Sequence, residues 1–271
     1  IITVSSLMSS NAAGIYKEMI EKTNDTDGII IDLRNNGGGL LTSAVDIADK
    51  FIDSGVIVST KGRISYENSV YTASTRKTTV KNVPVVVLIN GASASASEIL
   101  TGALKDAKVA YIVGERSFGK GSVQIPSELV NNDGFKITVA KYYSPSDINI
   151  DKTGIPPDRE VRYPEFTTEE EEAYTALMTT DDVADYVAEH PNMTEEDISA
   201  YAEHLKATYN LNSRILRKIV RNECDRRKPA RLYDLDYDLQ LNEALSILRT
   251  EDFRGLMATT KTLKEILRTQ Y

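Results

Sequence analysis

Three serines stand close together, Ser93, Ser95 and Ser97, and a lysine wedged between two glycines follows at Lys120. A serine hydroxyl is a weak nucleophile until a neighbouring base takes its proton. Lysine can be that base only when neutral, so burial must lower its pKa. Gly119, Gly121 and the nearby Phe118 would permit such a buried approach. Histidine is not placed for the task, because His190 and His204 both lie in the acidic C-terminal part. A serine–lysine pair is then the natural form of acyl-transfer chemistry here. Plainer readings exist for each residue. Ser95 and Glu98 have the spacing of a helix capping box, and most lysines are solvated surface charges. Gly114 to Lys120 also has the outline of a phosphate-binding loop. That motif needs Ser or Thr directly after the lysine and a helix beyond it, whereas Gly121 and an extended Ser122–Pro126 follow here.

The elements around these residues are legible from their patterns. Val85–Ile89 is a continuous apolar run that suits a buried strand, and Asn90-Gly91 marks a turn. Ile99, Leu100, Ala103 and Leu104 then recur at helical spacing, which puts Ser95 near a helix N-terminus. Free N–H groups and the positive end of the helix dipole point outward there, so an adjacent N–H can hold an oxyanion. A second buried strand, Gly28–Leu33, runs into Arg34-Asn35-Asn36-Gly37-Gly38-Gly39, a loop whose backbone can approach a ligand closely. Strands are also predicted over Ile1–Val4, Val56–Thr60 and Val109–Val113, and a half-buried one over Phe135–Tyr143. Helices are predicted over Asn11–Lys22 and Thr42–Asp53, and Arg63–Val80 reads as a hairpin or edge segment.

Taken together, Ser-Ala-Ser-Ala-Ser-Glu, Phe-Gly-Lys-Gly-Ser-Val-Gln, the preceding Asp32–Gly39 block and Gly154-Ile155-Pro156-Pro157-Asp158 resemble the carboxyl-terminal processing peptidases, also called tail-specific proteases. The resemblance covers residues 1 to 162. It implies a crotonase-like α/β (α+β) core of repeated strand-strand-helix units, with Ser95 as nucleophile and Lys120 as base, 25 residues apart. It further implies that Gln124 orients the lysine and that the backbone amides of Ala96 and Gly38 form the oxyanion hole. On the sequence alone Ser93 and Ser97 compete with Ser95, and only the family spacing selects between them. One departure stands out: Asp147 follows Ser-Pro-Ser where the family commonly has Gly. The family carries a PDZ domain before its core; none stands in this sequence, so residues 1–163 are expected to be a core with its front truncated.

The chain has 271 residues, 41% of them hydrophobic, which supports a real core. A net charge of −8 argues against a nucleic-acid partner. Cys224 is the only cysteine, so no internal disulfide forms. Composition shifts after Pro164. An acidic linker or helix occupies residues 164–191, and a helical C-terminal module is expected over 192–271. Its predicted helices are Thr194–Tyr209, Ser213–Asp225, Tyr237–Leu248 and Glu251–Thr269. The basic side chains of Ser213–Asp225 read as a solvated face ahead of a docking patch. The expected function is a serine endopeptidase with no cofactor and no metal, acting on the C-terminal tails of exported or unfolded polypeptides in the periplasm of a bacterial cell envelope. Homo-oligomers through the C-terminal helices and an adaptor protein are the further candidate partners. The rival readings are a non-catalytic binding module for apolar ligands on the same core, and a scaffold acting through the C-terminal helices.

Overall fold

The computed structural model describes residues 1–3, 6–8, 26–63, 68–128, 133–226, 228 and 233–268. The helix expected over Asn11–Lys22 lies outside the described residues. By contact the chain forms two units, Ile1–Arg162 with Gln240–Tyr271, and Tyr163–Leu239. Composition puts divisions at residues 163 and 191; contacts instead group the chain from Gln240 onward with Ile1–Arg162.

In chain order the first unit holds β1 (Ile2–Thr3), β2 (Ile29–Asp32), α1 (Leu41–Ala48), β3 (Val56–Gly62), β4 (Ser69–Thr72), β5 (Val85–Ile89), α2 (Ala96–Asp106), β6 (Tyr111–Gly114), β7 (Ser122–Glu128), β8 (Gly134–Tyr143) and β9 (Arg159–Glu160). The second unit holds α3 (Thr168–Met178), α4 (Asp182–Glu189), α5 (Glu195–Tyr209) and α6 (Ser213–Asp225). Three further helices follow: α7 (Leu239–Thr250), α8 (Phe253–Thr259) and α9 (Leu263–Arg268). The mixed α/β class and the helical C-terminal part read from the sequence are both present.

Five parallel strands form one sheet in the order β1-β2-β5-β6-β9. A parallel sheet is covered on both faces, so its strands read as unbroken apolar runs. Here Ile29, Ile31, Val85, Val87, Ile89 and Ile112 pack on one face with Ala44, Ile47, Leu100 and Leu104 of α1 and α2. The alternate residues Ile30, Val86, Leu88, Tyr111 and Val113 pack on the other face with Leu241, Ala244 and Ile247 of α7. The strand period of two thus sends each run to two cores at once. Leu263 of α9 joins the first face, and its N–H donates to the Asp106 carboxylate at the end of α2, 2.7 Å away.

The second sheet is antiparallel, in the order β4-β3-β8-β7. Its β8 departs from the half-buried expectation. Gly134–Thr138 is exposed, with Phe135 and Ile137 about half open to solvent, because nothing among the described residues covers that end of the β7–β8 pair. Two helix boundaries also differ. The helix α1 stops at Ala48, and Phe51 and Ile52 are buried in the turn beyond it. The predicted Glu251–Thr269 helix breaks at Thr260, where the backbone turns extended and the hydroxyl donates to the Met257 carbonyl, 2.8 Å away.

In the second unit Leu177, Val183, Ile198, Tyr201, Leu205, Leu216 and Val220 form a separate core. The helices α3 and α5 start on capping boxes, Thr167 with Glu170 and Thr194 with Asp197. Arg221 of α6 is not on a solvated face. It is 2% exposed and paired with Glu195, Asp234 and Asp236. Burying one guanidinium takes several acidic partners, and sequence periodicity does not show them.

Candidate active site

The serine turn follows β5 directly, because Asn90-Gly91 ends the strand and α2 begins at Ala96. Ser93 and Ser97 are both fully buried. The Ser93 hydroxyl donates to the Leu33 carbonyl at 2.8 Å and accepts the Asn90 N–H at 3.0 Å. The Ser97 hydroxyl donates to the Asn36 carbonyl at 3.0 Å. Ser95 is different: it is half-buried, and its backbone sits at φ 59°, ψ −116°, a conformation that L side chains rarely adopt. Such strain costs on the order of 1–3 kcal/mol and persists only where surrounding bonds over-determine it.

Those bonds come from the glycine block. Asn35 and Asn90 exchange hydrogen bonds, the Asn35 N–H to Asn90 Oδ1 at 3.0 Å and Asn90 Nδ2 to Asn35 Oδ1 at 2.9 Å. The Asn36 carbonyl also accepts the Ala94 N–H at 3.0 Å. Gly38 then lies directly against the nucleophile candidate. With φ at +100°, a Cβ at this position would stand 2.6 Å from the Ala94 carbonyl oxygen, 2.8 Å from the Ala96 nitrogen and 2.9 Å from Ser95 Cβ. Only glycine fits. Ala96 opens α2, so its N–H is one of the first-turn donors with no partner inside the helix. The Gly38 N–H is engaged, donating to Asn36 Oδ1 at 2.9 Å.

Glu98 is the residue that the sequence reading undervalued. It is 1% exposed, and its carboxylate accepts the Ser95 N–H at 2.9 Å, which is half of the expected capping box. The Glu98 N–H also lies 2.9 Å from the Ser95 carbonyl oxygen, so the box that the spacing marks closes the first turn of α2. The same carboxylate accepts the Ser117 hydroxyl at 2.6 Å, the Gly119 N–H at 2.7 Å and the Lys120 N–H at 2.8 Å. One buried anion thus ties the serine turn to the lysine loop. The S-x-x-E spacing marks a cap but carries no sign of the partners some twenty residues on.

The lysine loop corrects one expectation. The Lys120 side chain is exposed, and so is Phe118, at 65%. The backbone is what the fold buries here. A Cβ on Gly121 would stand 2.5 Å from the Asp151 nitrogen, so that glycine is needed for close packing on the 149–154 loop and not to bury the lysine. Gln124 follows on β7, exposed and paired in register with Thr138, just past an irregularity at Val123. No helix follows Lys120, and β7 runs in its place.

A groove of about 290 Å³ adjoins these loops in sequence. Its walls include Leu41, three residues after Gly38, and Val123, three after Lys120, with Tyr71, Ile125, Val139 and Tyr142 around them. One of its polar walls, the Thr60 hydroxyl, already accepts the Ser69 N–H at 2.9 Å. Burial pushes the Tyr142 phenol above its usual pKa. The groove suits an apolar side chain.

The sequence profile of Peptidase family S41 matches residues 1–161, more than half of the chain. The chain belongs to peptidase family S41. Among the relatives of this S41 chain, the carboxy-terminal-processing protease of Bartonella bacilliformis is 46% identical over 142 residues, 52% of this chain and 32% of that protein. The carboxyl-terminal-processing protease of Synechocystis sp. is 41% identical over 181 residues, 63% of this chain and 42% of that protein. The chain therefore spans less than half the length of these curated relatives. A solved structure of the photosystem II D1 C-terminal processing protease superposes with a TM-score of 0.53 at 35% identity, over 59% of this chain and 41% of that one.

Proposed function

We propose that this S41 chain carries the core of a serine endopeptidase that cleaves polypeptides near their C-terminal tails. One observation carries the reading. Of three candidate serines, two are fully buried with their hydroxyls spent on the backbone, and the third, Ser95, is half-buried on a strained turn with Gly38 against it. Strained turns of this kind present nucleophiles in other hydrolases.

In this reading the Ser95 hydroxyl attacks the peptide carbonyl while neutral Lys120 takes its proton. Lys120 returns that proton to the leaving amine, and an acyl-enzyme remains on Ser95. Water then attacks the ester with Lys120 again as base, and Ser95 is regenerated. The Ala96 and Gly38 N–H groups hold the oxyanion, which must displace Asn36 Oδ1 from the Gly38 amide. Gln124 orients the lysine. The groove beside the loops takes an apolar side chain of the tail.

Replacing Ser95→Ala or Lys120→Ala is expected to lower kcat about a thousandfold or more with the fold intact. Full hydrolysis of an unfolded protein by either variant would refute the reading. The setting that goes with it is the periplasm of a bacterial envelope, with homo-oligomers through the C-terminal helices and an adaptor protein as further partners. Cell fractionation and light scattering of the full-length protein test these.

A further inference from the structure

Gln240 opens the α7 layer and is 1% exposed, deep for a neutral polar side chain. Its amide is spent in three directions. Oε1 accepts from Arg34 Nη1 at 3.2 Å, and Nε2 donates to the Val161 carbonyl at 2.8 Å and to Glu115 Oε1 at 3.3 Å. Arg34 is the root of the glycine loop. Asp32, at the end of β2, grips its guanidinium in two places, Nε to Oδ1 at 2.9 Å and Nη2 to Oδ2 at 2.6 Å. The next two residues, Asn35 and Asn36, are those that hold the serine turn. Glu115 is the root of the lysine loop, immediately after β6, with its N–H donating to the Ile89 carbonyl at the end of β5.

We propose that Gln240 is a positioning residue through which the C-terminal segment sets the oxyanion loop and holds it in register with the lysine loop. Glu98 ties the serine turn to the lysine loop, through Ser95 and Lys120, and Gln240 ties the roots of the oxyanion loop and the lysine loop. Gln240 lies 206 positions from Arg34 in sequence and well outside the stretch that defines the family. It also joins Val161 to the start of α7, so the two chain ends that bracket residues 163–239 leave from one hydrogen bond. The inference rests on the catalytic reading of Ser95 and Gly38, but its central measurement does not need activity.

That measurement is hydrogen exchange on the full chain. In Gln240→Met the amides of residues 35–39 should exchange about tenfold faster, the loss of one hydrogen bond to a charged group, while those of β5 stay unchanged. In the peptidase assay Gln240→Met should weaken a peptidyl boronate, which needs the oxyanion hole, by about tenfold to a hundredfold and leave KM for a peptide substrate unchanged. A purely structural role would lower the melting temperature without this split. Unchanged exchange at 35–39 in Gln240→Met overturns the inference. Wild-type protein that hydrolyses nothing but shows the exchange effect refutes the peptidase reading and leaves the role of Gln240 standing.

Discussion

Glu98 meets two opposed demands. A carboxylate 1% exposed loses nearly all its hydration, and four donors from two loops replace that water. Only an anion can accept all four, because an amide of the same shape turns an NH2 group toward N–H donors. Glu98→Gln is therefore expected to cost about 2–4 kcal/mol of stability in a urea titration. It should also slow peptide hydrolysis about tenfold or more, since Ser95 and Lys120 lose their common anchor. A variant with the wild-type midpoint and turnover would contradict this. Lys120 shows the converse. Its backbone is fixed by Glu98 while its side chain is exposed.

At the scale of elements, β7 does two things at once. It holds Gln124 exposed opposite Thr138 and offers Val123 and Ile125 to the groove. Ile125 is 43% exposed, so replacing it leaves the core intact. Ile125→Asp should raise KM for peptides with apolar tails about tenfold with little change in melting temperature, as burying a tail against an unpaired charge is unfavourable. Equal KM values would remove the groove from substrate recognition. The strand β9 has an electrostatic role. Arg159 reaches Glu243 of α7 and Glu251 just beyond it, and its hydrogen bond holds the Glu251 carboxyl below the ordinary value of 4.5. A lowered folded pKa gives stability that is complete above the ordinary value and is lost as pH falls through the lowered one. The melting-temperature gap between wild type and Arg159→Gln should therefore be larger at pH 7 than at pH 3.

At the scale of the molecule, the first unit is a three-layer body in which α1 and α2 cover one face of the parallel sheet and α7 covers the other. The segment after Gln240 is thus part of the core that supports the site. Ile247 is fully buried against that second face, and Ile247→Ala should destabilise the chain by about 2–5 kcal/mol in denaturant. A cost under about 0.5 kcal/mol would show that the α7 layer is dispensable. Residues 163–239 form their own core around Tyr201 and Leu216, with Tyr186 stacked on Tyr201 at 3.6 Å.

The chemistry-bearing blocks and the elements that carry them were legible in sequence because their causes are local. An unbroken Val/Leu/Ile run makes the buried strand β5, Asn-Gly ends it, and helical spacing starts α2. Residues 213–225 and the helix ending at Tyr209 fall where their periodicity puts them for the same reason. What local pattern could not carry was partnership across the chain. Three serines two residues apart look alike until the fold buries two of them under Leu33 and Asn36. Glu98 reads as a cap until Ser117, Gly119 and Lys120 arrive from another loop. Lys120 is exposed although Gly121 beside it packs on Asp151, and Phe135 is exposed because no described residue covers that sheet end. The link from Gln240 to Arg34 spans 206 positions and leaves no periodic trace. Sequence fixes what each segment can be, through backbone preference and apolar spacing; only tertiary packing decides which polar groups find each other, because that depends on where distant segments meet.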